Sequence, residues 1–355
     1  MQTISEKLRK WYRANKRDLP WRESSDPYII WISEIMLQQT RVAQGYDYFL
    51  RFTARFPDVK ALAEASEDEV LKCWEGLGYY SRARNLHAAA KHVFYDLGGV
   101  FPDTYEKILS LKGVGEYTAA AIVSIVWNQP YAVVDGNVYR VLSRLFALEV
   151  PIDTGMGKKI FYTLAAEVMD CNYAGEHNQA IMEFGALCCL PRNPDCFLCI
   201  FSDICQAYTL GKVSFFPHKQ GKTKTRYRYF YYFHVQNEDQ TFLHKRIAGD
   251  IWQGLYELPL IETAEPADFS ELQETEAFKK MFEDCGKTDI SLELSGIKHV
   301  LSHQILYVTF YRINIKNTGR GLERYKQIPS ENLKEYAFPR LLQIYWEKAG
   351  GKLSN

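Results

Sequence analysis

The chain has 355 residues, 47% of them hydrophobic and 24% charged, with 43 Lys+Arg against 43 Asp+Glu. A disordered chain and a strongly basic nucleic-acid binder are excluded by that balance, although a local basic path is not; at roughly 100–200 residues per domain, two domains are expected. No apolar run approaches the ~18 residues of a membrane span, and the opening MQTISEKLRKWYRANKRD has no apolar stretch of the kind a secretory signal carries.

Residues 1–210 read as almost all helix. The segment 28–50 is apolar nearly all round (Tyr28, Ile29, Ile30, Trp31, Ile32, Ile35, Met36, Leu37), which predicts one central buried helix. Further helices are predicted over 60–75, 81–97, 105–110, 116–127, 137–147, 155–170 and 176–188. Pro57, Pro102, Pro130 and Pro151 punctuate them at boundaries. Residues 211–226, GKVSFFPHKQGKTKTR, hold five Lys/Arg and no Asp/Glu, and read as a basic linker. Beyond it, RYFYYFHVQ, TFLHKR, WQGLYELPL and IKHVLSHQILYVTFYRINI are β-rich and aromatic, and 267–285 predicts one helix. A mostly α domain over 1–210 is therefore expected to precede an α+β domain with a twisted sheet over 227–355.

Five of the eight cysteines fall between Cys188 and Cys205. Such clustering argues for a metal or cluster site in a reducing compartment rather than a disulfide scaffold. Cys189, Cys196, Cys199 and Cys205 read C-x6-C-x2-C-x5-C. Four closely spaced thiolates without histidine suit either zinc or an iron–sulfur cluster, and spacing alone does not choose. Cys188, Cys73, Cys171 and Cys285 are expected in the core.

Three further features carry chemistry. Lys112-Gly113-Val114-Gly115 joins two short helices. It is either a plain glycine turn or an anion site, built from close backbone approach and helix-start amides, for which a duplex phosphate is the natural ligand. Glu34 is the odd residue in IIWISEIML: its helical neighbours are Ile30, Trp31, Leu37 and Gln38. It is either the one solvent-facing residue of a buried helix or a desolvated carboxyl with a raised pKa, suited to general acid work. Asp135 ends an apolar run and precedes a helix, as an N-cap does, and a capped Asp is expected to stay ionised. An ionised Asp opposite a protonated Glu is the pair that glycosidic-bond chemistry needs.

Taken together, the glycine hairpin, an Asp 20 residues beyond Gly115 and the four-cysteine spacing resemble the helix-hairpin-helix DNA glycosylase superfamily with its iron–sulfur cluster. Ser33-Glu34-Ile35-Met36-Leu37-Gln38-Gln39-Thr40, Gly76-Leu77-Gly78-Tyr79-Tyr80-Ser81-Arg82 and His177-Asn178-Gln179-Ala180 narrow the resemblance. It is to adenine DNA glycosylases of the MutY type, over nearly the whole chain.

The resemblance implies one [4Fe-4S] cluster on Cys189, Cys196, Cys199 and Cys205 (loop 189–205), ordering a loop that includes Arg192 against DNA phosphate. The substrate it implies is duplex DNA holding adenine opposite 8-oxoguanine or guanine, with the adenine flipped out of the stack. Glu34 is then the acid that protonates adenine N7. Asp135 stabilises the oxocarbenium-like sugar or bonds it covalently, with Asn137 positioning Asp135 and Tyr117 beside the sugar. Related strand-cleaving enzymes carry a lysine where Tyr117 stands, so a monofunctional enzyme is expected. Trp21, Arg22 and Gln179 match the adenine pocket. Gln39, Leu77 and Tyr79 match residues near the lesion, Thr40 is a further substrate-binding candidate, and Lys112, Gly113, Val114 and Gly115 match the phosphate contact.

The C-terminal domain resembles the Nudix fold at Trp252-Gln253-Gly254-Leu255-Tyr256-Glu257-Leu258-Pro259. The Glu-rich metal motif of Nudix hydrolases does not follow, so recognition of 8-oxoguanine is implied rather than hydrolysis. The hairpin Leu301-Ser302-His303 matches the sensing loop, with Leu301 departing from the usual Phe. His299 is expected as a strand residue. A cytoplasmic, bacterial monomer without membrane attachment is expected. The competing readings are a pyrimidine-lesion glycosylase/lyase, against which Tyr117 speaks, and a non-catalytic iron–sulfur DNA sensor, against which Glu34 and Asp135 speak together.

Overall fold

The structure, a computed structural model, describes residues 2–221 and 225–349. Lys222 and Lys224 of the basic linker lie outside the described residues. In chain order the helices of the first half are α1 (Gln2–Asn15), α2 (Pro27–Leu37), α3 (Val42–Arg55), α4 (Val59–Glu64), α5 (Glu67–Cys73), α6 (Ser81–Lys91), α7 (Tyr105–Leu109), α8 (Glu116–Trp127), α9 (Gly136–Leu145), α10 (Gly155–Val168), α11 (Ala174–Leu187) and α12 (Gln206–Thr209). They are followed by β1 (Arg226–Asn237), β2 (Gln240–Lys245), β3 (Tyr256–Glu257), β4 (Leu260–Thr263), α13 (Phe269–Glu274), α14 (Glu276–Met281), β5 (Asp289–Val300), β6 (Gln304–Asn314), β7 (Lys326–Pro329) and α15 (Arg340–Lys348). None of the described helices is long and apolar enough to cross a membrane.

The chain divides into two compact units: Met1–Glu64 with Asn85–Lys222, and Ala65–Arg84 with Thr223–Asn355. Residues 65–84, expected within the helical domain, thus belong with the C-terminal sheet. Polar contacts within that unit explain why: Lys72 Nζ donates to the Tyr336 carbonyl at 2.9 Å, and the Phe338 amide donates to Glu75 at 2.8 Å.

In the first unit α11 packs against α1, α8 and α9, around a core that includes Leu8, Ala120, Val138, Leu142, Phe161, Ile181 and Phe184. Gly185 permits the closest approach of α11 and α9, since a Cβ there would stand 2.6 Å from Asn137 Cβ. Asp26 caps α2 by accepting from the Tyr28 amide, and Pro27 opens the helix.

The single helix expected over 28–50 is two. It breaks at 38–41, where Gln39 takes φ +55. Nothing local announces that break, because glutamine favours helix and no Gly or Pro intervenes. The helix expected over 60–75 is also two, α4 and α5. Ser66 heads α5 in a reciprocal capping box with Glu69. Residues 267–285 hold two short helices, because Thr275 ends α13 and caps α14 through Phe278 N. Cys171, expected in the core, is exposed, and Cys73 and Cys188 are half-buried.

In the second unit a mixed sheet runs β3-β2-β1-β6-β5, with β4 beside β1 and β7 beside β2. Strands β1 and β6 pair in parallel from Arg226↔Gln304 to Gln236↔Asn314. Side chains alternate across the sheet. Phe230, Tyr232, Leu306, Val308 and Phe310 therefore meet Leu341, Leu342 and Tyr345 of α15, whereas Tyr231, Phe233, Tyr311 and Ile313 meet Phe278 and Met281 of α14.

Candidate active site

A cavity of about 380 Å³ opens in the first unit. Trp21, Arg22, Glu34, Thr40, Tyr117, Asp135, Asn137 and Gln179 all line it. Eight of the residues singled out from sequence, spread over some 160 positions, therefore meet in one place. Gln39 sits beside it in sequence but is exposed on the turn after α2 and is absent from the lining.

Glu34 lies on α2 and is 9% exposed, so it is not the solvent-facing residue of its helix. Burial pushes its pKa up to about 7; the hydrogen bond from Tyr117 opposes that rise, the nearby Asp135 adds to it, and Arg22 opposes it. The Tyr117 hydroxyl donates to Glu34 Oε2 at 3.0 Å and lies 3.1 Å from Met182 Sδ. Burial and the two carboxylates keep that phenol protonated.

Asp135 caps α9: its Oδ1 accepts from the Val138 amide at 2.8 Å and its Oδ2 from Asn137 Nδ2 at 2.8 Å. Burial raises its pKa too, which departs from the simple expectation of an ionised cap. The Val138 and Asn137 hydrogen bonds and the Arg140 charge oppose that rise. Three partners thus favour the ionised form of Asp135, against the Tyr117 hydrogen bond and the Arg22 charge for Glu34.

Arg140, which the sequence reading did not single out, supports this arrangement from behind. Its guanidinium donates to Asn137 Oδ1 at 2.9 Å, to the Gly185 carbonyl at 2.6 Å and to the Cys189 carbonyl at 2.7 Å. Its position one helical turn after Gly136 was a signal only in retrospect. Two of its three acceptors, the Gly185 and Cys189 carbonyls, come from a distant segment.

The other wall holds a second network that sequence reading missed. Glu183, on α11 and 1% exposed, accepts from Arg22 Nη1 and Nη2 at 2.8 and 2.7 Å and from the Arg17 amide and Nε at 2.9 and 2.8 Å. Burial alone would raise its pKa, but these hydrogen bonds prevail and hold it down at about 2. Gln179, one turn before Glu183, accepts from the Tyr12 hydroxyl at 2.7 Å. Trp21 is buried edge-on against Phe49 at 5.0 Å. From the same motif, Asn178 accepts from the Val133 amide and donates to Ser124 and the Tyr131 carbonyl, bracing the segment that leads into Asp135. His177 bonds Ser5, and burial lowers its pKa to about 4.

The glycine hairpin links α7 to α8. Gly113 takes φ +82, and a Cβ there would meet Asn85 Cβ at 2.6 Å, so glycine is required twice over. Gly115 is the N-cap of α8, and no side chain caps the helix start. Lys112 is exposed and Val114 buried.

Cys189, Cys196, Cys199 and Cys205 line one recess with Arg144, Phe184 and Phe201. Burial and the neighbouring thiols push Cys199 up to about 11, opposed by the Phe201 amide; burial also raises Cys196 and Cys205. Arg144, itself buried, donates to Cys189 Sγ at 3.4 Å. Among the described residues no three Cys, His, Asp or Glu come together closely enough to hold a single metal ion. Four thiols around one recess, faced by the fixed cation Arg144, form a donor set that fits an anionic metal–thiolate centre.

The remaining candidates lie in the second unit. Ser302 and His303 form the exposed two-residue turn between β5 and β6, closed by the Leu301 amide on the Gln304 carbonyl at 2.8 Å. Tyr79, at φ +49 and 47% exposed, shares a 2.9 Å hydrogen bond with Ser302 Oγ. Leu77 is buried rather than presented. His299 is in β5, with its pKa lowered by burial.

Comparison with known proteins places residues 32–159 in the HhH-GPD superfamily of base excision DNA repair proteins and residues 231–348 in the NUDIX domain family. An adenine DNA glycosylase of Buchnera aphidicola (subspecies Acyrthosiphon pisum) is 33% identical over 265 residues, which cover 74% of this chain and 76% of that one. The mouse adenine DNA glycosylase is 44% identical over 210 residues, 57% of this chain and 41% of its own. Among solved structures, a thermostable thymine-DNA glycosylase superposes with a TM-score of 0.55 at 29% identity, covering 59% of this chain and 96% of that one. An endonuclease III–DNA complex gives 0.51 at 20% identity over 59% and 95%, a likeness of fold. The helical unit therefore has the HhH-GPD fold, and the C-terminal sheet is a Nudix domain.

Proposed function

This chain belongs to the adenine DNA glycosylase family, and on that premise we propose that it removes adenine from duplex DNA, where adenine stands opposite 8-oxoguanine or guanine, in base excision repair. The observation that carries the reading is the carboxylate pair in one cavity: Glu34 buried with a pKa of about 7, and Asp135 held by three groups that favour its charge.

Glu34 protonates N7 of the flipped adenine, which leaves as the neutral base when the bond from N9 to the sugar breaks. The electron pair of that bond goes to the purine. Asp135 supports the positive charge left on the sugar, and water supplies the new oxygen at C1′ and gives its proton to the carboxylate left on Glu34. Tyr117 carries no amine, so no Schiff base forms and the product is an abasic site. Asn137 and Arg140 orient Asp135. Trp21, Arg22, Thr40 and Gln179 bound the base, and Gln39 reads the duplex beside it. Lys112, Gly113, Val114 and Gly115 meet a phosphate at the start of α8.

Cys189, Cys196, Cys199 and Cys205 would hold one [4Fe-4S] cluster, which would order the loop carrying Arg192 against DNA. In the second unit Tyr79, Ser302 and His303 sense 8-oxoguanine, with Leu77 nearby in sequence. Hydrolysis there is disfavoured, because Glu257, Asp250 and Glu262 are bonded to Arg246 and Arg228. The protein acts in the cytoplasm as a monomer.

Single-turnover incubation with a duplex holding one adenine opposite 8-oxoguanine, analysed with and without alkali, tests this. A nick only after alkali is expected. A nick without alkali would overturn the monofunctional reading, and no adenine release from cluster-loaded protein would overturn the catalytic one.

A further inference from the structure

Three carboxylates (Glu34, Asp135, Glu183) and three arginines (Arg17, Arg22, Arg41) line one cavity, and they are not paired symmetrically. Glu183 takes two of the cations: Arg22 through two hydrogen bonds and Arg17 through its amide and guanidinium. Glu34, in the same lining, has the neutral Tyr117 hydroxyl as its hydrogen-bond partner. We propose that Glu183 is a positioning residue that acts as the counter-ion of Arg22, and so keeps that guanidinium from pairing with Glu34. The inference rests on Glu34 being the acid.

A buried guanidinium requires an anion. With Glu183 neutral, the remaining carboxylates on the cavity wall are Glu34 and Asp135, and Asp135 is already held by Asn137 and the Val138 amide. Arg22 would turn to Glu34. An opposite charge at contact holds a carboxylate ionised, and an ionised Glu34 has no proton for the base. The groups facing this ion pair are Tyr12 of α1, whose ring lies 5.5 Å from the Arg22 guanidinium carbon, Arg17 of the following loop and Glu34 of α2. Those facing Glu34 are Tyr117 of α8, Asp135 at the head of α9 and Arg22. Arg22 already lowers the Glu34 pKa from where it stands.

The test is the pH dependence of single-turnover adenine release by cluster-loaded full-length protein, for wild type, Glu183→Gln, Glu183→Asp, Arg22→Met and the Glu183→Gln/Arg22→Met double variant. In wild type the rate should fall as pH rises through about 7. Glu183→Gln should move that fall to lower pH by about 1–3 pH units, with at least about tenfold less release at pH 8. Glu183→Asp keeps the anion and should leave the fall in place even if the rate drops. Arg22→Met should move it to higher pH, and the double variant should return from the Glu183→Gln position. Arg22→Met also stands as a test if Glu183→Gln does not fold. Loss of rate by the same factor at every pH in Glu183→Gln, or an Arg22→Met profile that coincides with wild type, would overturn the proposal. Absence of the fall in wild type would instead overturn the role of Glu34 itself.

Discussion

The Tyr117 hydroxyl stands 3.0 Å from Glu34 Oε2, joining α8 to α2 across 83 residues of sequence. It is the only hydrogen bond found from a described side chain to that carboxylate, and it stabilises the charged form. Desolvation of Glu34 outweighs it, so the carboxyl titrates near neutrality.

Glu34→Gln should reduce single-turnover adenine release by about 10²–10⁴-fold, the usual contribution of a positioned acid. Binding to the mispaired duplex, measured by fluorescence anisotropy, should change little. Because the acid must be protonated, wild-type release should decline as pH rises through about 7. A variant with full release would remove Glu34 from the mechanism.

Tyr117→Phe deletes the one hydrogen bond that favours ionised Glu34. The Glu34 pKa should rise further, and the declining limb of the pH–rate profile should move to higher pH. A limb that stays in place or moves down would contradict the assignment.

Replacing Arg140 by Gln leaves the Gly185 and Cys189 carbonyls without their donor and loosens Asn137. A loss of about 2–4 kcal/mol in denaturant-unfolding stability is expected for a buried network of this kind, together with slower adenine release. Arg140→Lys should recover part of both, since a lysine reaches some of these acceptors.

Metal analysis of protein purified without air should find about four irons per chain and no stoichiometric zinc. Cys199→Ser should lower the iron content and weaken duplex binding. Binding should also weaken with added salt, as phosphate contacts require. One zinc per chain would reverse the cluster assignment.

Much of the site was legible because its residue types are locally improbable. A glutamate inside IIWISEIML, an aspartate at the end of an apolar run and four cysteines in C-x6-C-x2-C-x5-C each pointed to chemistry before any contact was known. Glu183 carried no such mark. It reads as one polar residue on an amphipathic helix, and its character comes from Arg17 and Arg22, more than 160 positions earlier. Arg140 was hidden for a similar reason: two of its acceptors are backbone carbonyls 45 and 49 residues away, which have no sequence signature.

The sequence by itself determined the two-part α then α+β organisation, most helices of the first half, and the set of groups able to do acid and metal chemistry, because periodicity and residue type are local properties. The break at Gln39, the transfer of 65–84 to the C-terminal unit and the asymmetric pairing of arginines with Glu183 were decided by tertiary structure alone. Each depends on contacts between residues distant in the chain. The last of them sets which buried glutamate keeps its proton, because desolvation and ion pairing act through space and leave no trace in the order of residues.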